Sequence, residues 1–474
     1  MKKIMLTIFS LAFFFSVYAQ DGYKIEVELE DFEKDSLFLG FFYGNNQYLK
    51  DTAVVSGGDR KFVFQGEELL SPGVYMVVIP PNNRYFQLHI DKEQQFSVST
   101  KVQDPSKFMK VNGSKDNELL YKYLNYLAAQ KPKAEELNKK IQEGDKSAQA
   151  KMDQLNEEVS AFQRKMIADN PQSITSAIIK ANLPLDVPEF EGEEQDQQMK
   201  RWRWMQKNYF NQIDLTDQRL LRTPFLFERV DYFVNKLQVQ HPDTIAMAVD
   251  YILEKMRPAE ETFKFYLIHY LNQFAGSKIV GMDAVYVHIV EQYYAKGDAS
   301  WTDEEQLKKI VDNANELKPL LIGKTAPDVR LEDKSGKAYN LHDIDSEYTI
   351  LYFWRYDCGH CKKSTPFMKE FYEKFKDRGV KLVAVCVKFT KDIPDCWEYV
   401  EENEIGDWMH LVDPYHRSKF SKIYNIKTTP QLYILDKNKE IISKRIGAEQ
   451  LEEVMGKIIE MDKQEKQEQS GDAK

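Results

Sequence analysis

The chain has 474 residues, which is too long for one hydrophobic core and predicts two to four domains. Its formal net charge of −10 argues against a surface that binds nucleic acid or an anionic membrane. Four cysteines are too few for a disulfide scaffold in a chain of this length, so the fold must depend on its apolar cores.

The first 19 residues have the pattern of a secretory signal peptide. Lys2 and Lys3 precede an apolar run, residues 4–15, that is too short to span a bilayer comfortably. Residues 17–19, Val-Tyr-Ala, place small residues where a signal peptidase cleaves, whereas an N-terminal membrane anchor is the alternative. No cysteine lies near this cleavage site, which argues against a lipid anchor. We therefore expect a periplasmic protein whose mature chain is not inserted in a membrane.

Residues 20–112 are predicted to form a small all-β domain, most simply a sandwich. Ile25, Val27 and Leu29 alternate with glutamates, as in a strand with one buried face. Turn signals separate several such strands, and the turn Pro80–Asn83 lies between two apolar runs. These two runs are expected to form a hairpin.

Residues 113–318 are predicted to form an all-α domain. Leu120 and Leu124 belong to a run with helical spacing, and a charged pair of helices follows, broken at Gly144. The segment 202–233 is rich in aromatic residues. It could line a groove for a partner, but aromatic residues at helical spacing usually pack against other helices, so we expect a core.

Residues 319–462 alternate strands with helices, which predicts an α/β domain with a mainly parallel sheet. The segments 349–354 and 380–387 are continuously apolar, as in strands covered on both faces. An antiparallel hairpin is expected within 431–446. The polar segment 463–474 is expected to be a disordered tail.

Cys358 and Cys361 form a C-x-x-C motif between a buried strand and a predicted helix. At a helix N-terminus, free backbone N–H groups favour the thiolate of Cys358, which is the attacking species in thiol–disulfide exchange. Two intervening residues let the second sulfur reach the first across one helical turn. His360 lies between the cysteines and should stabilise the thiolate further.

Metal and haem sites are the alternatives for this motif. A c-type haem attachment needs a histidine directly after Cys361, where Lys362 stands. Zinc needs two more ligands, and the remaining candidates lack a paired spacing: His410, His416, Cys386 and Cys396. We therefore expect neither a metal nor another cofactor.

Residues 323–456 resemble the thioredoxin superfamily, specifically the periplasmic branch typified by TlpA and ResA. Gly323–Asp328 resembles the lead-in to the first strand of that branch, and Phe353-Trp354 matches its strand end. Pro366 matches the proline that kinks the active-site helix, and Thr429-Pro430 matches the family's cis-proline.

The resemblance implies a thioredoxin-like fold and a thiol–disulfide oxidoreductase that acts on cysteine-containing client proteins. Cys358 and Cys361 would be catalytic, and a membrane thiol–disulfide partner would donate electrons. The resemblance also implies supporting residues. Those that tune the cysteine pair are Gly359, His360 and Trp354, and those that position the client are Thr429 and Pro430.

Two positions depart from the family pattern. Thioredoxins carry a buried acid six residues before the first cysteine, where Tyr352 stands, and ResA-like proteins carry a glutamate three residues after the second, where Ser364 stands. The usual proton acceptors for Cys361 are therefore both replaced. Lys388 is a candidate substitute, or else a strand-end lysine in solvent.

The direction of exchange stays open at this point. Gly and His between the cysteines are also found in protein disulfide isomerase, with a potential of roughly −180 mV against about −270 mV for thioredoxin, whereas TlpA and ResA relatives are mostly reductants. A peroxiredoxin-like peroxidase would need threonine where Arg355 stands. A binding protein, whose β and helical domains hold a partner or glycan, is a further alternative.

The multidomain order of signal, β domain, helical domain and TlpA-like domain resembles envelope proteins of Bacteroidota, which implies architecture but no ligand.

Cys386 lies in an apolar run and is expected to be a small buried core residue. A Cys386–Cys396 disulfide is the alternative, which export would permit.

Overall fold

The computed structural model describes residues 22–55 and 61–471. The expected signal peptide, residues 1–19, lies outside the described residues. The chain divides into two compact units, and the described residues of the first are 22–55, 61–237 and 254–263. The second comprises residues 238–253 and 264–471. The domain limits expected at residues 112 and 318 remain predictions.

The first unit begins with a β-sandwich, as the sequence predicts. Its strands are β1 (Tyr23–Leu29), β2 (Ser36–Tyr43), β3 (Asn46–Val54), β4 (Lys61–Gly66), β5 (Gly73–Ile79), β6 (Arg84–Ile90), β7 (Gln95–Thr100) and, after the short helix α1 (Pro105–Phe108), β8 (Lys110–Asn112). One sheet has the order β4-β1-β7-β8 and the other β3-β2-β5-β6. Ile25, Val27 and Leu29 are buried, which confirms the predicted alternation. The hairpin around Pro80–Asn83 is also confirmed, since β5 and β6 pair antiparallel.

Helices follow the sandwich. They are α2 (Lys115–Gln142), α3 (Lys146–Asp169), α4 (Ile174–Ala181), α5 (Glu194–Asn208), α6 (Pro224–Tyr232), α7 (Pro242–Met256), α8 (Glu260–Ala275), α9 (Asp283–Ile289) and α10 (Glu304–Leu317). Gly144 separates α2 from α3 with a φ of +90°, a conformation that favours glycine. The rings of Tyr209 and Phe233 both pack against Phe210, and all three are buried. The aromatic segment therefore contributes core residues, as expected.

The second unit contains the α/β domain. Its elements are β9 (Arg330–Glu332), β10 (Ala338–Asn340), β11 (Tyr348–Trp354), α11 (Gly359–Phe375), β12 (Val380–Cys386), α12 (Ile393–Glu402), β13 (Met409–Val412), α13 (Phe420–Ile423), β14 (Gln431–Asp436), β15 (Ile441–Lys444) and α14 (Leu451–Gly471). The sheet order is β10-β9-β13-β12-β11-β14-β15. Strands β11, β12 and β13 are parallel, and β14 and β15 form the expected antiparallel hairpin. The expectation of a mainly parallel sheet is wrong, because β14 also pairs antiparallel with β11, and the short strands β9 and β10 add antiparallel pairs at the other edge.

Strand β11 is buried along its whole length because each face of the sheet carries its own core. Ile350, Tyr352 and Trp354 belong to one apolar cluster, and Leu351 and Phe353 belong to the other. This double burial explains the unbroken apolar run in the sequence. It also fixes the end of β11, from which the chain enters α11.

The expected disorder from Lys463 is wrong as far as residue 471, because α14 continues to Gly471. The segment is rich in lysine, glutamate and glutamine, which are good helix formers as well as polar residues. Leu451 and Met455 are fully buried and anchor the first turns of the same helix. Composition alone does not separate a solvated helix from a disordered tail.

Within residues 22–55 and 61–471, no helix has both the length and the apolar character needed to cross a membrane.

Candidate active site

Cys358 is the N-cap residue of α11, immediately after the turn that follows β11. The backbone N–H of Cys361 donates a hydrogen bond to Cys358 Sγ over 3.3 Å. Cys358 keeps 9% of its surface exposed, whereas Cys361 keeps 1%, and both are free thiols. The two cysteines are therefore unequal in access, in the order that the sequence predicts, although Cys358 is less exposed than expected.

The surroundings of Cys358 favour its thiolate. Burial alone would raise the pKa of this thiol, but contacts with Cys361 and the Thr429 side chain, together with backbone N–H groups of Cys361 and His360, lower it overall. The thiol also donates to the Thr429 carbonyl over 3.2 Å, a contact that only the protonated form makes. The balance favours a reactive thiolate at the helix N-terminus.

Cys361 has the opposite environment. Burial, and then the hydrogen bond with Cys358, raise the pKa of Cys361 to about 12. The Thr365 hydroxyl donates to the Cys361 carbonyl over 3.1 Å and lies 2.9 Å from the Tyr399 hydroxyl. Cys361 is thus held as a buried, protonated thiol one turn after Cys358.

The Thr429–Pro430 peptide bond is cis and lies against Cys358. Pro430 also lines a cleft of 430 Å³ beside α11, together with His360 and Ser364. Apart from its two chain neighbours and the backbone of its own helix, no heavy atom of the described residues lies within 4 Å of the position that a Cβ atom on Gly359 would take, so this side of the helix start is open. The structure therefore brings the predicted client-positioning residues to the C-x-x-C motif.

Trp354 and Pro366 have supporting positions. Trp354 is 3% exposed and lies in the same apolar cluster as Cys358 and Cys361. Its ring packs against Tyr399 and His410, with centroid distances of 5.3 and 6.0 Å. Pro366 lies inside α11, which continues through it. Neither side chain lines the cleft within the described residues.

The cleft also includes Arg445 and Glu449, which no motif marks in the sequence. The pairing of β15 with β14 returns the chain to the neighbourhood of Pro430, and α14 begins shortly afterwards. Such residues are found only once the hairpin register is known. Lys388, considered as a proton acceptor for Cys361, instead pairs with Asp357 over 2.7 Å.

Cys386 and Cys396 form a disulfide, with their Cα atoms 6.6 Å apart. The expectation that Cys386 is only a small core residue is therefore wrong, and the alternative is confirmed. The end of β12 and the first turn of α12 bring the two residues together. Both are consequently unavailable as zinc ligands. In the part of the chain that the structure describes, no three His, Cys, Asp or Glu side chains form a metal-binding group.

Comparison with known proteins agrees with this geometry. The model of the AhpC/TSA family matches residues 322–444. The thiol-disulfide oxidoreductase ResA of Bacillus cereus (strain ZK / E33L) is 30% identical over 138 residues, which cover 28% of this chain and 75% of that protein. ResA of Bacillus thuringiensis subsp. konkukian (strain 97-27) is 31% identical over 140 residues, which cover 29% and 78%.

The chain belongs to the ResA family of thiol-disulfide oxidoreductases. It is therefore an enzyme of the redox class that its C-x-x-C motif predicts. A solved domain of a possible thiol-disulfide isomerase from Cytophaga hutchinsonii ATCC 33406 is similar, with 35% identity, coverage of 31% of this chain and 98% of that chain, and a TM-score of 0.29. These ResA relatives match 28% and 29% of this chain. Residues 23–120 and 140–316 match two domains of unknown function, DUF4369 and DUF5106.

Proposed function

We propose that this ResA-family enzyme exchanges disulfides with cysteine-containing client proteins in the periplasm, through Cys358 and Cys361. The observation that carries the proposal is the asymmetry of the pair. Cys358 is the more accessible thiol and its pKa is lowered, whereas Cys361 is buried and its pKa is raised to about 12. Such a pair separates the thiol that attacks clients from the thiol that releases them.

In the reducing direction, the Cys358 thiolate attacks one sulfur of a client disulfide. The client S–S bond breaks, its other sulfur leaves as a thiolate, and a mixed disulfide with Cys358 forms. Cys361 then loses its proton and attacks Cys358 Sγ. The second client thiolate leaves, so two electrons pass from the enzyme dithiol to the client. The oxidising direction reverses these steps, and the reduction potential of the pair decides between them.

Three features support binding of a client next to Cys358. Thr429 and Pro430 present backbone beside the sulfur, and the open side of Gly359 leaves room for an extended segment. His360 is exposed at the edge of the cleft, where it would tune the potential of the pair. These roles follow from the positions of the four residues.

The periplasmic location is supported by the signal-like N-terminus and by the Cys386–Cys396 disulfide, because such bonds persist mainly in oxidising compartments. A membrane thiol–disulfide partner would then supply electrons to Cys358 and Cys361. Neither role requires a metal or another cofactor.

Alkylation of the reduced protein tests the central assignment. At mildly acidic pH, iodoacetamide should label Cys358 first because its thiolate is favoured, and peptide mass mapping locates the label. Cys358→Ser should remove the fast-labelled site, whereas the double variant Cys386→Ala with Cys396→Ala should keep it. Preferential labelling of Cys361, or equal labelling of both thiols, would overturn the proposal.

A further inference from the structure

The Tyr352 hydroxyl is buried beside the active-site helix without a well-formed hydrogen bond. Tyr352 is 2% exposed and is one of the residues that line the 430 Å³ cleft. Within the described residues its hydroxyl has no partner with good hydrogen-bond geometry, although the Ser364 side chain is near enough to lower its pKa. A buried hydroxyl without a well-formed hydrogen bond destabilises the resting protein, and a state that gives it a strong acceptor would remove that penalty.

Cys361 must lose its proton before it can release a client, although it is buried. Several groups surround Cys361 and Tyr352, and they come from the segment between β11 and α11, from α11, from α12 and from the loop before β14. They are the Arg355 backbone, Cys358, Ser364, Tyr399 and Thr429. These named groups are hydroxyls, a thiol and backbone, and none of them is a base at neutral pH. The proton of Cys361 therefore needs a route to solvent.

We propose that the Tyr352 hydroxyl donates a hydrogen bond to the Cys361 thiolate during resolution, and that the proton leaves through Ser364 to water in the cleft. This inference rests on the proposed function, since it concerns the second step of that exchange. Tyr352 belongs to the same buried cluster as Cys361, and Tyr352 and Ser364 both line the cleft, so Ser364 can connect the buried hydroxyl with solvent.

Tyr352 acts in this scheme as a neutral donor and relay, which accepts one proton as it passes on its own, and not as a phenolate base. Burial, followed by the charge of Cys361, raises the pKa of Tyr352 well above its usual value, so the phenol stays protonated. Its hydroxyl gains a strong acceptor only when Cys361 becomes a thiolate. An interaction that exists only in the reacting state lowers the barrier, whereas one already present in the resting state would not.

The resolving step balances in protons and electrons. The Cys361 S–H bond breaks, and Tyr352 accepts that proton while its own proton passes to Ser364 and then to cleft water. The electron pair stays on sulfur, which attacks Cys358 Sγ and forms the intramolecular disulfide. The bond between Cys358 and the client breaks, and the departing client thiolate takes a proton from solvent. At the mouth of the cleft, His360, Lys363, Arg445 and Glu449 are the titratable or charged groups that face this water.

A two-step reaction with one equivalent of the aromatic disulfide DTNB tests this inference on the reduced full chain. The first thionitrobenzoate released reports attack by Cys358, and the second reports resolution by Cys361. In Tyr352→Phe we expect an unchanged first release. The second release should slow by about tenfold or more at neutral pH, because positioned proton transfer contributes roughly 10²–10⁴-fold, and its pH profile should move upward.

Two further comparisons separate this role from a packing effect. Ser364→Ala should slow the second release and Ser364→Thr should restore it, since threonine keeps the hydroxyl. Tyr399→Phe removes another hydroxyl near α11, one that is bonded to Thr365, and should leave the pH profile unchanged. The inference would be overturned if both Tyr352→Phe and Ser364→Ala released the second thionitrobenzoate with the rate and pH dependence of the wild type. A wild-type protein without the first release would instead overturn the proposed function.

Discussion

Lys388 Nζ lies 2.7 Å from Asp357 Oδ2, so the residue directly before Cys358 is tied to the segment that follows β12. Arg355 Nε approaches the other oxygen of the same carboxylate at 3.2 Å. Burial alone would raise the pKa of Asp357, but Lys388 and Arg355 lower it overall. The negative charge next to the reactive thiol is therefore compensated on both sides.

Lys388→Met should raise the pKa of Cys358, because the variant leaves the charge of Asp357 partly uncompensated beside the thiolate. Since partly exposed ion pairs contribute about 0.2–1 kcal/mol, the shift should stay below about one pKa unit. The pH dependence of the Cys358 alkylation rate measures it. Lys391→Met alters an exposed lysine of the same loop and should leave the rate profile unchanged. Equal profiles for wild type and Lys388→Met would show that the pair does not tune the thiol.

His360→Pro should make the Cys358–Cys361 couple more reducing by tens of millivolts, where about 30 mV corresponds to 1.4 kcal/mol for two electrons. The reason is that His360 offers a cation or donor that stabilises the Cys358 thiolate. Without it the reduced form is less stable, so the disulfide is favoured. Titration against glutathione gives the potential. His360→Ala should shift it in the same direction without the backbone restriction of proline. An unchanged potential in both variants would contradict a tuning role.

The sequence predicted the parts of this site that local pattern controls. The apolar run of β11, the N-cap position of Cys358 and the cis-proline follow from hydrophobicity, motif spacing and family resemblance. The contact of Lys388 with Asp357 joins separate strand ends, and Arg445 reaches the cleft only through the hairpin register. Such contacts depend on tertiary packing, which a single sequence does not show.

The disulfide and the last helix illustrate the same limit. Whether Cys386 meets Cys396 depends on where α12 begins relative to the end of β12, and helix ends are the least certain part of a sequence-based interpretation. The polar residues after Lys463 fit a solvated helix and a disordered tail equally well by composition. Packing of the preceding turns, through Leu451 and Met455, favours the helix.

Asp283→Ala should destabilise the second unit strongly, because it removes the carboxylate that lies 2.6 Å from the buried ammonium of Lys444. Breaking a buried pair typically costs about 3–5 kcal/mol, whereas Lys444→Met removes the buried charge itself and should cost less. Thermal unfolding of the reduced and oxidised protein measures both variants, with the exposed Glu460→Ala on α14 as a control. Burial already lowers the pKa of Lys444.

The stability loss caused by Asp283→Ala should depend on pH with a definite sign. A lysine whose pKa is lowered in the folded state binds fewer protons there than in the unfolded chain, so stability rises with pH across the interval between the two values. Without Asp283 the folded-state pKa of Lys444 should fall further. The deficit in unfolding free energy of Asp283→Ala relative to wild type should therefore shrink at alkaline pH. A deficit that is constant with pH, or larger for Lys444→Met, would contradict this account.

Cys361→Ser should accumulate mixed disulfides with client proteins in the periplasm, because Cys358 still attacks but nothing releases the client. Non-reducing gels followed by mass spectrometry detect these species. Cys358→Ser should trap far fewer, since the remaining thiol is 1% exposed and lacks the N-terminal position on α11. The double variant Cys386→Ala with Cys396→Ala should trap none and should keep insulin reduction or refolding of scrambled ribonuclease. Trapping through Cys386 or Cys396 would identify a different reactive pair. If no species were trapped although the redox potential of the Cys358–Cys361 pair was normal, a binding protein would be favoured over a client-exchange enzyme.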